Sequence, residues 1–233
     1  ISMNNSLVKE YFRAVKEIRP KAFVMENVSM LSSETHRFYD SAKDHDVVTS
    51  LGVQMREDEL VLADSDYNGY SLMNIIQADA VADYKISDEL FQLLNVLYKN
   101  RNSEERLSKY IKNKSKLIID KIASQAEEVK NNLGILNWIV DMINTEQISA
   151  CFTELGQFIK FQKTFRLKEE LDSNEIIYEI ENDLQTGKII ARVKSYSVIE
   201  YVNKILGDDY KKNSGVINSL WFGVPQERRR FIM

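Results

Sequence analysis

The sequence has few of the residues that usually fix a small fold by themselves. It contains 1 cysteine, 2 prolines and 8 glycines. A single cysteine excludes a disulfide framework and agrees with a reducing cytosol. Scarce proline and glycine favour long regular elements over tight turns. No apolar run is long enough to span a membrane and no secretory pattern is present, so we expect a cytoplasmic protein with no membrane partner.

Charge and hydrophobic content set wide limits on function. The 233 residues carry a formal net charge of -4, which gives no support for general nucleic-acid affinity but leaves room for a local basic face. A hydrophobic content of 44% is enough for one sizeable core or two small ones.

The start of the chain predicts half of an α/β unit. Residues 6–18 have the periodicity of a helix, and Arg19-Pro20 ends it because the residue before proline avoids the helical region. Residues 22–25 are continuously apolar, which is typical of a strand covered on both faces in a parallel sheet. The apolar face predicted for the helix consists of Leu7, Tyr11, Val15 and Ile18.

Residues 34–194 have a different character, polar at first and then mainly helical. The pattern predicts helices over 88–100, from Ser103 onward, over 135–143 and over 147–165. Strands over 175–180 and 188–193 flank Gln185-Thr186-Gly187, which indicates a β-hairpin.

The α/β character returns at the end of the chain. Ser197 and Glu200 form the capping box "SVIE" at the start of a helix, and Gly207 is a suitable C-cap. Residues 216–222 predict a strand, and another begins at Arg230. We therefore predict one α/β domain from residues 1–33 and 195–233, interrupted by an insertion over 34–194. The residues predicted to be buried on that helix are Val198, Val202 and Ile205.

A carboxylate at the end of the predicted first strand is the first candidate for chemistry. Ligands of open α/β sheets bind beyond the carboxyl ends of the strands, where Glu26 and Asn27 would lie. Apolar neighbours favour the protonated form of a carboxylate, which suits a proton donor or a group that holds a protonated ring nitrogen. The alternative is a salt-bridged acid at a strand end. The arginines at 228–230 equally allow a solvated strand end.

Two stretches together resemble the DNA cytosine-C5 methyltransferase family. The stretch "SLVKEYFRAVKEIRPKAFVMENVSML" is similar to the family's helix and strand ending in Glu-Asn-Val. The stretch "YSVIEYVNKILGDDYKKNSGVINSLWFGVPQERRRFIM" is similar to its later helix and "V.NA..YGVPQ.R.R" signature. The resemblance covers residues 5–31 and 196–233. It implies an α/β fold with a partial Rossmann-like methyltransferase sheet, interrupted by a large, mainly helical insertion with a β-hairpin.

The resemblance also implies a reaction on double-stranded DNA. A cytosine is flipped out of the duplex, a cysteine thiolate adds to ring carbon 6, and carbon 5 takes a methyl group from S-adenosylmethionine. Glu26 would hold the ring-nitrogen edge and the exocyclic amine, while Arg230 would donate to the base carbonyl. Arg228 would support the substrate from the same loop. Loop-ordering roles are implied for Asn27 and Gln226, and Arg229 is expected to point elsewhere.

Several parts of the family's machinery have no counterpart in the 233 residues. Neither the Pro-Cys nucleophile loop nor the glycine-rich donor loop is found, and Cys151 has the setting of a core residue. We therefore expect an internal segment of a methyltransferase, inactive alone, with a possible restriction-modification partner. The alternative is a non-catalytic DNA- or protein-binding module built on a degenerate methyltransferase. The reading frame upstream of Ile1 discriminates between them: a Pro-Cys loop and a glycine-rich donor loop there would favour the enzyme, and their absence would favour the binding module.

No metal site is predicted. The stretch "DSDYNGYSLMNI" places Asp64, Asp66, Asn68 and Gly69 as in a calcium loop, but Ile75 replaces the closing acid. The histidine in "KDHD", His45, is more typical of a solvated loop than of a metal centre.

Overall fold

The computed structural model describes residues 4–33, 36–65, 71–125, 130–183 and 185–233. The α-helices are α1 Asn4–Ile18, α2 His45–Ser50, α3 Leu72–Gln77, α4 Asp88–Lys99, α5 Glu104–Gln125, α6 Leu133–Asn144, α7 Phe152–Ser173 and α8 Val198–Leu206. The strands are β1 Glu26–Val28, β2 Arg37–Tyr39, β3 Met55–Ala63, β4 Tyr178–Asp183, β5 Lys188–Ser197, β6 Gly215–Asn218 and β7 Arg229–Ile232.

The described residues form two compact units. Unit 1 comprises those of Ile1–Leu60, Leu171–Glu179 and Ala191–Met233. Unit 2 comprises those of Val61–Glu170 and Ile180–Ile190. Both ends of the chain therefore share unit 1, whereas the boundaries differ from the predicted ones because the residues described from 36 to 60 also pack there. The assignment of the ends to a catalytic domain stays a prediction.

Helix α1 forms where it was predicted, but its buried face was predicted only in part. Val8, Phe12 and Val15 are buried, whereas Leu7 and Ile18 are largely exposed. Apolar residues lie on two overlapping stripes of this helix, and periodicity alone did not show which stripe faces the core. The helix ends at Ile18, as expected before Arg19-Pro20.

The first strand begins later than predicted. Residues 22–25 are outside any strand, and β1 begins at Glu26. Phe23 lies edge-on to the rings of Phe12 and Tyr210, while Val24 is 74% exposed and Met25 is buried. The apolar run therefore alternates between core and solvent, so the prediction of a strand covered on both faces was wrong.

Unit 1 contains a three-stranded sheet of order β1-β7-β6. Both β1 and β6 pair antiparallel with β7, so the predicted parallel pairing does not occur between these neighbours. The two outer strands are parallel to each other, since each is antiparallel to the strand between them. The ladder extends one step beyond β1, because Met25 and Met233 exchange backbone hydrogen bonds of 2.9 and 3.0 Å.

The core of unit 1 lies between this sheet and the helices that flank it in sequence. Phe231 of β7 is buried in one hydrophobic cluster with Phe12 of α1 and Val202 of α8. Helix α8 begins at the predicted cap, where Ser197 Oγ accepts a hydrogen bond from the Glu200 amide at 3.3 Å. The reciprocal half of the predicted capping box is absent, since the Glu200 carboxylate accepts from the Gln54 amide and pairs with Lys204.

The end of α8 follows the sequence pattern, but the strand after it is shorter than predicted. Gly207 ends the helix with a positive φ of 54°. Strand β6 stops at Asn218, and Ser219–Phe222 form a 3-10 turn instead of continuing the strand. Strand β7 begins within one residue of its predicted start.

Unit 2 is mainly helical, as the sequence predicted for this part of the chain. The core is built from α4 to α7 and includes Leu90, Leu94, Ile118, Leu136, Ile139, Phe158 and Phe165. Gln162 is fully buried and is satisfied by the backbone: its Oε1 accepts from Ile86 N at 3.0 Å and its Nε2 donates to Tyr84 O at 2.8 Å. Helix α7 begins at Phe152, later than predicted, after a 3-10 turn over Ile148–Cys151.

The second sheet has the order β2-β5-β3, and β4 also pairs with β5. The β4–β5 hairpin was predicted, and Gly187 supplies the positive φ of 71° that its turn requires. Across the described ranges, none of the helices has both the length and the apolar character needed to cross a membrane.

Candidate functional site

Glu26 of β1 and Arg230 of the central strand β7 meet in an ion pair on one face of the three-stranded sheet. Arg230 Nε lies 2.7 Å from Glu26 Oε1. The Arg230 side chain is 26% exposed and the Glu26 side chain is 58% exposed, so the pair opens to solvent from one side. The sequence predicted that these two residues converge, and their side chains do so. Their catalytic roles stay predictions.

Strand register explains why the two side chains meet. Glu26 stands opposite Ile232, and Val28 stands opposite Arg230. Residues directly opposite in an antiparallel pair share one face, and diagonal neighbours lie within reach of long side chains. Arg230 is the diagonal neighbour of Glu26 on that face, which we call the outer face. The flexible arginine side chain is long enough to close the remaining distance.

The outer face is apolar around the ion pair. Val24 and Val28 flank Glu26 along the chain, and Ile217 of β6 stands opposite Arg230. All three side chains are exposed. Phe231 points to the other face and is buried in the core. The sheet therefore places one acid and one guanidinium on an exposed apolar surface. Phe231, on the opposite face, anchors β7 in the core.

Asn218 organises the loop that leads from β6 into β7. Its Oδ1 accepts from the Leu220 amide at 3.2 Å and from the Arg228 amide at 3.3 Å, so one side chain holds both ends of the loop. The Ser219 amide also donates to Arg228 O at 3.0 Å. Asn218 is only 8% exposed, and its bonds to the two amides are partly buried. The loop is therefore ordered by a buried amide at its base.

The other predicted site residues lie near this loop in less defined positions. Arg228 is exposed, and its backbone joins the Asn218 network. Arg229 pairs with Glu227 at 3.2 Å, and its register opposite Asn218 puts it on the face away from Arg230, as expected. Gln226 contributes a backbone bond, from its amide to Val224 O at 2.8 Å. Asn27 is the middle residue of β1 and its side chain accepts from the Val28 amide at 2.7 Å, while its loop-ordering role stays a prediction.

Sequence reasoning missed two features of this region. Asn218 ends β6, within the predicted strand, but its side-chain bonds to the following loop were not predicted, although Asn next to a hydrophobic run is a common turn residue. Trp221 and Phe222 were predicted to be strand residues, but they lie on the 3-10 turn and are 71% and 69% exposed. An apolar pair just before Gly-Val-Pro cannot be told from a strand by periodicity alone.

Cys151 has the properties of a core residue, as predicted. It is fully buried, and its thiol donates to Ile148 O at 3.2 Å. Burial raises the pKa of the thiol to about 11, assisted by the nearby Glu154 carboxylate. A thiol that remains protonated at neutral pH is a poor nucleophile.

Metal ligation finds no support within the described ranges. No group of three His, Cys, Asp or Glu side chains is suitably placed to hold a metal ion. Ile75, at the closing position of the calcium-loop pattern, is buried in α3, whereas Asp66, Asn68 and Gly69 lie outside the described residues. His45 begins α2 and its Nδ1 lies 2.8 Å from Asp40 Oδ2.

The residues of this site do not form a place for a methyl donor. A nucleotide-like donor needs a loop with close backbone approach, usually rich in glycine. The site instead presents an ion pair, valines and isoleucine on a strand surface. No residue of this chain is therefore assigned to S-adenosylmethionine.

Comparison with protein-family models gives a match to C-5 cytosine-specific DNA methylase over residues 2–50. The matched segment includes Glu26 and Asn27, whereas Arg228 and Arg230 lie outside it. Comparisons with curated proteins and with solved structures give no match. The family match covers a minor part of the chain. It supports a relationship to DNA methylases and, with it, a methyltransferase-related function.

Proposed function

We propose that this chain is a segment of a DNA cytosine-C5 methyltransferase whose Glu26 and Arg230 hold a flipped cytosine. The observation that carries the proposal is the 2.7 Å contact between them. Glu26 lies within the segment that matches the DNA methylase family. Arg230 belongs to the "GVPQERRR" motif at the far end of the sequence. Two family-like motifs that are remote in sequence therefore form one site.

The paired groups complement the polar edge of cytosine. The Glu26 carboxylate accepts from the exocyclic amine and from a protonated ring nitrogen, which are both donors. The Arg230 guanidinium offers a rigid, positively charged fork of donors to the carbonyl oxygen. In the free chain each group satisfies the other. An incoming base replaces that contact with hydrogen bonds to its own edge.

These contacts stabilise the charge that develops during the reaction. Addition of a nucleophile to carbon 6 increases electron density on the ring nitrogen and carbonyl oxygen. A donor aimed where this charge develops contributes about 3 kcal/mol when water is excluded. Glu26 holds a proton at the ring nitrogen, and Arg230 neutralises the oxygen. Arg228 lies in the same loop, where we assign it to the substrate or its phosphate.

The exposed position of the pair agrees with a flipped base. A cytosine in a stacked duplex hides its reactive atoms, so it must leave the helix to reach a protein pocket. The Glu26 side chain is 58% exposed, which leaves it accessible to such a base. Double-stranded DNA is therefore the substrate that we assign.

The three-stranded sheet is consistent with one edge of a Rossmann-like sheet. Strands β1 and β6 are parallel to each other, as alternating β and α elements require, and α8 leads into β6. Strand β7 is the antiparallel member between them, and mixed sheets of this kind are common in α/β proteins.

The chain by itself does not complete the proposed reaction. The methyl group would come from S-adenosylmethionine, for which no residue here is assigned. The nucleophile is also unassigned, because Cys151 is buried away from solvent. We place the intact enzyme in the cytoplasm, within a restriction-modification system, as an extension of the same proposal.

Binding experiments test base recognition without requiring turnover. The chain is titrated with a fluorescent duplex that carries one cytosine opposite an abasic site, and with the same duplex carrying thymine there. We expect cytosine to bind about tenfold more tightly, because thymine presents a carbonyl where cytosine presents its amine. Glu26→Gln should reduce this preference.

A matched carboxylate variant controls for charge. Glu17 of α1 is 63% exposed and pairs with Arg13, so Glu17→Gln removes the same charge at a remote surface. It should retain the preference for cytosine. Equal affinity for both duplexes in the wild-type chain would overturn the proposal, as would full discrimination in Glu26→Gln.

A further inference from the structure

Two aromatic side chains are presented to solvent on the loop between β6 and β7. Trp221 and Phe222 are 71% and 69% exposed, and Leu220 and Val224 beside them are also exposed. Burying such residues is normally favourable, so their display on a surface marks a contact site. None of them contributes to the recognition of cytosine described above.

The loop holds these aromatic residues in a defined place. They lie on a 3-10 turn whose Leu220 amide is bonded to the buried Asn218 side chain. Gly223 ends the turn with a positive φ of 78°, and its amide donates to Leu220 O at 3.2 Å. A side chain on an ordered turn loses little further entropy when it binds. The turn therefore presents Leu220, Trp221 and Phe222 in a preorganised arrangement, which we call the aromatic tip.

The tip lies next to the candidate site and carries basic residues. Ile217 pairs with Arg230 and Asn218 with Arg229, so the turn begins directly beyond the arginine of the site. Arg228, on the returning arm of the loop, is exposed. Aromatic rings beside arginines combine stacking on bases with attraction to phosphates. Arg229 pairs with Glu227 and Arg230 with Glu26, so Arg228 supplies the positive charge that favours a nucleic acid over an uncharged protein surface as the occupant.

We propose that Trp221 and Phe222 stack on DNA bases beside the extruded cytosine. The inference rests on the proposed function, which requires the target base to leave the stack. Extrusion breaks stacking on both sides of the base, and an aromatic wedge restores part of that lost contact. Loss of one stacked aromatic side chain weakens binding by about tenfold.

Tryptophan fluorescence tests this contact directly. The chain has 2 tryptophans, so Trp138→Phe leaves Trp221 as the only reporter. This variant is titrated with the duplex that carries cytosine opposite an abasic site. We expect DNA to quench Trp221 emission, since stacked nucleobases are efficient quenchers. We expect Trp221→Ala and Phe222→Ala each to weaken binding by about tenfold.

Matched variants separate stacking from loss of exposed apolar surface. Leu7 of α1 is 67% exposed, so Leu7→Ala removes a comparable apolar group away from the loop and should leave affinity unchanged. Trp221→Phe keeps a ring and should retain most of the affinity. Circular dichroism checks that each variant is folded.

The outcomes distinguish this inference from the proposed function. In one outcome, DNA leaves Trp221 emission unchanged and Trp221→Ala leaves the affinity unchanged, while the preference for cytosine persists. In that case the wedge is wrong and base recognition stands. A protein then becomes the better occupant of the aromatic tip. If Trp221 is quenched without any preference for cytosine, stacking of Trp221 on DNA stands, whereas its place beside an extruded cytosine and the proposed base recognition both fail. If no duplex binds at all, both are overturned.

Discussion

Arg230 reaches Glu26 diagonally across the β1–β7 pair, because the residue directly opposite Arg230 is Val28. A diagonal contact depends on the full length of the arginine side chain. Val28, opposite Arg230, adds an exposed apolar side chain beside the pair. The site is therefore defined by strand register as much as by residue type, and a one-residue slip would send Arg230 into the core.

The ion pair should contribute to base recognition much more than to stability. Glu26 is 58% exposed, and solvent screening limits such pairs to about 0–1 kcal/mol. We expect Arg230→Met to change the free energy of unfolding by less than about 1 kcal/mol, measured by urea denaturation. The same variant should weaken binding of the cytosine duplex.

A remote arginine provides the control for that experiment. Arg13 is exposed on α1 and pairs with Glu10 and Glu17. Arg13→Met should change stability by a similar small amount and leave cytosine recognition intact. A large loss of stability in Arg230→Met alone would mean that the pair is structural, as in the salt-bridged-acid alternative.

Asn218 should be the residue on which the loop depends most. Asn218→Ala removes the acceptor for two backbone amides, those of Leu220 and Arg228, at a position that is only 8% exposed. We expect a loss of about 1–2 kcal/mol in the free energy of unfolding, because two backbone amides lose their hydrogen-bond acceptor. Hydrogen exchange at both amides should accelerate. Unchanged protection of the Arg228 amide would show that another group orders the loop.

The sequence predicted those features that depend on strong local signals. Helix α4, the Ser197 cap and the Gly207 helix end all form as expected, since capping chemistry and clear periodicity act over a few residues. The convergence of Glu26 and Arg230 was predicted from two motifs, not from local pattern. Without that resemblance, the arginine run would have been interpreted as a solvated strand end.

The features that were predicted wrongly depend on partners remote in sequence. The run before Glu26 was apolar enough for a buried strand, but Phe23 packs on aromatic rings of α1 and Tyr210 instead. Antiparallel pairing with β7 is a long-range choice that no short window contains. The Glu200 carboxylate likewise bonds to Gln54, an amide from a remote part of the chain, rather than to its own helix cap.

Cys151 should resist alkylation in the folded chain. Burial raises its pKa to about 11, so the thiolate is scarce at pH 8, and the sulfur is inaccessible to reagents. We expect Cys151 to react with a thiol reagent only after urea unfolds the protein. Mass spectrometry detects the modified chain. Rapid modification of the native chain at pH 8 would contradict the burial and reopen Cys151 as a candidate nucleophile.

Stability should fall at alkaline pH partly because of Tyr201. Burial raises the pKa of this tyrosine to about 12, with further contributions from the Asp44 and Glu10 charges. Its contribution to stability is complete below the ordinary tyrosine pKa, near 10, because both folded and unfolded chains then hold the proton. Between about pH 10 and 12 the unfolded chain ionises first, so this contribution is lost as pH rises.

Tyr201→Phe tests the effect, since it keeps the ring and removes the ionisable hydroxyl. Urea denaturation at pH 9 and pH 11 should show a smaller loss of stability in the variant than in the wild type. The pKa of the neighbouring Tyr196 is also raised, mainly by burial and partly by the Tyr201 and nearby Asp charges, so the difference between the two proteins reports both tyrosines together. Identical losses in the two proteins would mean that Tyr201 ionises as readily when folded as when unfolded, and would contradict the raised pKa of this tyrosine.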